Sequence, residues 1–244
     1  MREPAFDFRC LQDFWHNFFC MEFGKYRYSL ALLLFVALAS KAQSQQPPNP
    51  TIAFTCDFPG SDPSHYAISV SSDTRASYTS DGKLTRDSDP SAPFTLDFSM
   101  PQATINRIFD LAKKAHYFEG AIDSKKRNIA STGQKTLSYK DGQRNISASY
   151  NYSPIPAVEE LTSIFQNLAI TLEFGRRLEF DHRFQKLAIN EELERMADIA
   201  SRNELGDVTV IASTLKKIID DPSVVNTARA RAQRLLDGAS AGKK

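Results

Sequence analysis

Three histidines, His65, His116 and His182, are the chain's first candidates for chemistry once its apolar N-terminal run is set aside. A metal site needs such side chains, with cysteines or carboxylates, at fixed spacings, for instance two histidines one helical turn apart. That spacing does not occur, so no metal and no cofactor is expected. His116 follows an apolar helical stripe and reads as a helix-end cap, and Asp181-His182-Arg183 reads as solvated helix surface. Nucleophilic catalysis asks for a Ser or Cys on a sharp strand-to-helix turn, and no Gly-x-Ser-x-Gly is present. Ser80-Asp-Gly-Lys83 and Ser213-Thr-Leu-Lys216 match Ser-x-x-Lys, but the partner motifs that make this pattern catalytic are missing. Glycines occur singly at turns, with no phosphate-cradling loop.

Carboxylates are more plentiful. Asp81, Asp87 and Asp89 fall in one polar stretch, and oxygen-rich loops bind calcium, but the calcium-loop spacing is absent and a solvated turn is the expectation. Glu159-Glu160 and Glu191-Glu192 fall in first helical turns, where the positive end of the helix dipole favours acidic residues. Cys56 reads as a small buried hydrophobe. Asn145-Ile-Ser and Asn151-Tyr-Ser match the glycosylation acceptor pattern, which matters only in a eukaryotic secretory route. No catalytic, cofactor-binding or metal residue is assigned.

The elements that would position these residues fall into two halves. Ile52, Phe54 and Cys56 alternate with smaller residues in Thr51 to Phe58; Tyr66 to Ser71, Ala76 to Thr79 and Phe94 to Phe98 repeat the period of a half-buried strand. Ser69, Ser71, Ser77 and Thr79, with Ser147 and Ser149, would lie on the opposite face, either as a plain water-facing surface or as a flat face for a partner. Ser99-Met-Pro101-Gln102 predicts a capping box, followed by a helix with Ile105, Ile108, Phe109, Ala112 and Ala115 on one face. Lys135 to Lys140 and Gln143 to Tyr150 flank Asp141-Gly142, which predicts a type I′ hairpin.

Beyond Ser153-Pro-Ile-Pro156 the pattern is helical. Val158, Leu161, Ile164-Phe165, Leu168 and Leu172 form one stripe; Leu193, Met196 and Ile199 a second; Val208, Ile211, Leu215 and Ile218 a third. Asp221-Pro222 predicts the start of a last helix, with Val225, Ala228, Ala232 and Leu235 inside and Gly238 as its stop. Strands in blocks followed by helices predict an α+β fold: a mainly antiparallel sheet with a packed helix, then an all-helical C-terminal extension.

Leu30 to Ala39 is an unbroken apolar run. Ten helical residues cover about half of a bilayer's hydrocarbon core, so the run fits a signal peptide better than a membrane span. Lys25 and Arg27 precede it, and Ser40-Lys41-Ala42 supplies small residues where a signal peptidase reads. Cleavage after Ala42 is expected; an uncleaved anchor or a buried apolar strand is the alternative. Met21 offers a cleaner start than Met1, whose following residues are rich in Phe. The expected organisation is a signal peptide (1–42), a Pro-rich flexible spacer (43–50), an α+β domain (51–172), a helical extension (173–238) and a disordered tail (239–244).

Removing residues 1–42 leaves 25 basic and 25 acidic residues, and Cys56 as the only thiol. A neutral balance gives no reason to expect nucleic acid as a partner, and one cysteine closes no internal disulfide.

Ile52-Ala-Phe54-Thr55, Gly60-Ser61-Asp-Pro63 and Tyr66 to Asp73, with a helix like Pro101 to Phe118 after them, resemble uncharacterised domains of secreted bacterial proteins. The resemblance spans roughly Thr51 to Leu172 and implies no reaction and no functional residue. Export without a catalytic constellation points to a non-enzymatic, periplasmic or secreted module that binds a protein or envelope component and keeps no membrane span after cleavage. The alternatives are a hydrolase whose site gathers dispersed carboxylates with His65 or His182, and a helical tail serving self-association.

Overall fold

The computed structural model describes residues 49–84, 93–126 and 130–241. The signal segment, most of the spacer, Asp87, Asp89 and the last three residues lie outside that description.

Six antiparallel strands form one sheet: β1 (Thr51–Asp57), β2 (His65–Ser71), β3 (Arg75–Ser80), β4 (Phe94–Ser99), β5 (Gln134–Lys140) and β6 (Asn145–Tyr150). β1 to β4 run as a meander. The chain then passes through α1 (Gln102–Lys114) and a short 3-10 turn, and returns to the far side of β1, giving the order β4-β3-β2-β1-β5-β6. Register follows the apolar alternation. Phe54 lies opposite Ile68 on one side and Leu137 on the other, and Ile52 opposite Val70 and Tyr139. A slip of one residue would turn all of them to water.

The predicted capping box is not formed. Ser99 ends β4, and α1 begins at Gln102 behind Pro101 with no side-chain cap. Continuing the β3–β4 ladder, with Met100 N–H donating to Thr74 O at 2.9 Å, takes the residue that would have capped. The hairpin turn also differs. Neither Asp141 nor Gly142 has positive φ, so this is not a type I′ turn. Asp141 closes it from the first position, its Oδ1 accepting from Gln143 N–H at 2.7 Å and Arg144 N–H at 2.6 Å.

Helix α2 (Pro156–Phe184) starts with proline in its first turn and runs unbroken for 29 residues. It crosses the sheet nearly at right angles. Thr162 Oγ1 meets the Tyr150 hydroxyl over β6, Phe165 stacks on Phe54 over β1 at 5.3 Å, and Glu173 takes hydrogen bonds from β3. The eleven residues from Thr162 to Glu173 rise about 16 Å, close to the roughly 19 Å of the four strand spacings they cross. The residue-172 boundary between sheet domain and extension therefore falls inside one helix.

The rest of the chain packs around the second half of α2: α3 (Ile189–Ser201), a 3-10 turn (Val208–Ile211), α4 (Ala212–Asp220) and α5 (Asn226–Ala241). Their apolar stripes turn inward, with Leu193, Met196, Leu215, Ile218, Ala228 and Ala232 fully buried. Asp221 holds a turn through Ser223 instead of opening α5. Val224, not Val225, is the buried valine there, and α5 passes straight through Gly238. Among the described residues no helix is long and apolar enough to cross a membrane.

Candidate functional site

Sheet and helix lengths do not match. β4 is the last strand on its side, one spacing beyond β3, yet α2 continues eleven residues past Glu173. That is about 16 Å of helix, of which one strand spacing of about 5 Å is covered by β4. The C-terminal end of α2 thus overhangs the sheet edge by about two strand widths. Beneath the overhang lies a cleft of about 850 Å³, within the range of roughly 300–1,000 Å³ typical of ligand sites.

One wall of the cleft is β4, through the half-buried Phe94, Leu96 and Phe98. The roof is α2, through Leu172, Gly175 and Phe180, with Phe184 at the mouth and 65% exposed. The far wall is the Val208–Ile211 turn and the start of α4. Gly175 is where these elements close up, since a Cβ there would collide with Ile211 Cγ2. The rim is charged. Arg176 lays its guanidinium over the Phe94 ring at 4.6 Å and donates to Gly82 O at 3.0 Å. Lys217 holds Glu179 at 2.9 Å, and Arg183 reaches the same carboxylate only at 3.9 Å, leaving its charge largely to solvent.

Behind Arg176 sits a buried polar cluster. Glu173 Oε1 accepts from the Tyr78 hydroxyl at 2.8 Å and from Ser80 Oγ at 2.5 Å, while Oε2 has no hydrogen-bond partner among the described residues and faces Arg176 and Arg177 at 3.8 and 3.9 Å. Burial, then the Glu173 charge, drives the Tyr78 hydroxyl well above its ordinary range. A second cluster joins α2 to α3. Glu192 is 1% exposed and takes Arg177 Nε at 2.6 Å as well as Arg195. Asp181 stands beside it, and burial followed by the Glu192 charge pushes its carboxyl up to about 6, against the pull of Arg195 and Arg177.

The residues singled out in the sequence do not converge. His65 Nδ1 lies 2.6 Å from Asp57 Oδ1, at an exposed end of the sheet. Its neighbour Ser64 donates to Asp81, and no described residue completes a triad. His182 is not solvated surface: its Nε2 pairs with Asp221 Oδ2 at 2.9 Å, beside Lys186. His116 lies in the 3-10 turn after α1. Ser80 is buried against Glu173, and Lys83 engages Asp62 through its backbone, so that Ser-x-x-Lys pair forms no dyad. Ser213 lines the cleft while Lys216 faces water on α4. Glu159 and Glu191 lie in first turns, Glu160 pairs with Arg107, and Asn145 is exposed. Asn151 ties two loops together through Thr132 and Ala130. No group of three or more metal-ligating side chains occurs among the described residues.

Cys56 is buried, and burial raises its thiol. It lies directly across the β1–β5 ladder from Lys135, a buried cation the sequence did not flag. Lys135 Nζ donates to Thr132 Oγ1, Gly133 O and Asn151 O, so it acts as a clasp on the loops beside the sheet. Ser69, Ser71, Ser77, Thr79, Ser147 and Ser149 all lie on the face away from α2, and Thr136 and Ser149 share a hydrogen bond at 2.8 Å there.

Sequence reasoning missed the cleft. Its signals were the alternation of Phe94, Leu96 and Phe98 and the aromatic pair Phe180 and Phe184, but nothing local says that the helix outruns the sheet. No protein-family model matches the chain, and no curated protein matches it at a significant level.

Proposed function

We propose that this chain is an exported, non-enzymatic interaction module, periplasmic or secreted, that binds a partner in the envelope or outside the cell. The observation that carries the reading is the cleft under the α2 overhang, apolar inside and charged at its rim. Such a lining can hold an apolar ligand and orient it by charge, and among its described residues no nucleophile is paired with a base. Export is supported by Leu30 to Ala39 with its flanking Lys25, Arg27 and Ser40-Lys41-Ala42. The resemblance to domains of secreted bacterial proteins points the same way.

The test has two arms. Intact mass of the native protein from separated cellular fractions should give an extracytoplasmic species beginning at Gln43; a full-length cytosolic species would remove the export reading. A broad hydrolase panel should give no turnover that tracks the protein through purification. Turnover lost in His65→Ala or His182→Ala would establish the enzymatic alternative instead.

A further inference from the structure

The edge strand bounding the cleft has an outward hydrogen-bonding row that no described residue meets. Met100 N–H donates to Thr74 O, and narrow and wide pairs alternate along an antiparallel ladder. In the observed register, Ala76–Phe98, Tyr78–Leu96 and Ser80–Phe94 are therefore the pairs that exchange hydrogen bonds with β3. The backbone N–H and C=O groups of Thr95, Asp97 and Ser99 point the other way, off the sheet, and no described residue bonds them. The side chains of Phe94, Leu96 and Phe98 line the cleft beside them.

We infer that an extended peptide of another protein docks here as a seventh strand, a partner class that rests on the binding reading above. Its backbone pairs with Thr95, Asp97 and Ser99, and alternate apolar side chains enter the cleft beneath Phe180. An acidic flank meets Arg183, whose charge is left largely to solvent, at the mouth. Other occupants fit less well. A second copy joined edge to edge would bring its own α2 overhang to the same side of the joined sheet, where two overhangs of about two strand widths each would occupy one space. A hydrocarbon chain would fill the cleft but leave the backbone row unmet. Residues 85–92, which lead into β4, carry no large apolar side chain to fill it.

The probe is a pool of blocked, fluorescein-labelled heptapeptides, Glu-X-Thr-X-Thr-X-Thr with X drawn from Val, Leu, Ile and Phe, titrated with the intact chain and followed by anisotropy. A pool with X replaced by Ser is the control. Saturable binding of the apolar pool is expected, with hydrogen-exchange protection at Thr95, Asp97 and Ser99. Asp97→Pro removes an outward donor without breaking a β3 bond, and weakens binding at least tenfold. Ser147→Pro makes the same change on the β6 edge and leaves binding unaltered. Phe180→Asp, which leaves the edge backbone intact, repeats the loss if Asp97→Pro does not fold.

No binding by the pool, equal loss in both proline variants, or protection confined to β6 overturns the proposal. Saturable laurate binding without peptide binding overturns it too, but leaves the binding-module reading standing. A doubled mass by light scattering that Asp97→Pro abolishes assigns the edge to a second copy and also overturns it. Peptide cleavage during the titration would overturn both readings.

Discussion

Replacing Asp181 with asparagine should stabilise the protein, and only above acidic pH. Asp181 is 7% exposed near the C-terminal end of α2. The arginines nearby are already engaged: Glu192 takes both Arg177 and Arg195. Burial and the Glu192 charge outweigh the pull of Arg195 and Arg177 on Asp181 and raise its carboxyl from 3.8 to about 6. Between those values the folded chain holds a proton that the unfolded chain has released. Stability therefore falls as pH rises through about 4 to 6 and stays lower above it. The difference between 3.8 and about 6 sets a ceiling of about 3 kcal/mol. Asp181→Asn keeps the shape and removes the charge, so it should gain about 1–3 kcal/mol at pH 8. Below pH 4, where the native carboxyl is protonated in both states, the gain should vanish. Urea unfolding followed by circular dichroism at pH 4, 6 and 8 measures it. No gain at pH 8, or the same gain at every pH, would refute the assignment of Asp181 as a net destabilising charge.

Lys135→Met should cost about 2–4 kcal/mol in urea unfolding, because it strips the donor from the Gly133 and Asn151 carbonyls. Phe165→Ala removes the ring stacked on Phe54 and should cost about 3–5 kcal/mol by the same measurement. Gly206→Ala places a Cβ 2.6 Å from the Leu168 Cα, backbone of α2 that cannot yield, and should lower the melting temperature sharply. Gly142→Ala meets nothing within 4 Å and should change stability by less than about 0.5 kcal/mol.

How much was legible follows from the range of the forces involved. Alternation of Ile52, Phe54 and Cys56 against Tyr66, Ile68 and Val70 is local, and it put the right residues on the packed face. The inward stripes of α1 and α2 were readable for the same reason. Ser99 and Asp141-Gly142 were misread because a neighbouring strand and a side-chain turn compete for the same backbone groups, and local chemistry does not decide that competition. Asp221 and Gly238 fit helix-boundary chemistry but are overridden by packing, which moves the start of α5 to Asn226 and carries it on to Ala241. The charge of Lys135 hid its burial, since no sequence pattern reveals that three oxygens converge on one inward position of β5. The cleft depends on the ratio of helix length to sheet width, a quantity available only once the strand order is fixed.

One rod, α2, serves both layers. Its first half is clamped by the sheet and its second by the helices that follow, with no flexible joint between them. Neither layer can melt without stripping a flank from the same helix, so heating should give a single cooperative transition, and a protease should find no cut site near Leu172 in the native chain. A fragment ending at Leu172 would keep all six strands but lose Glu173 and Arg176 from the end of the sheet nearest β4. The helices released on the other side would have no wall to pack against. The protein is therefore indivisible at the point where its architecture changes, and exchange of the helical part between proteins would have to carry the whole of α2 with it.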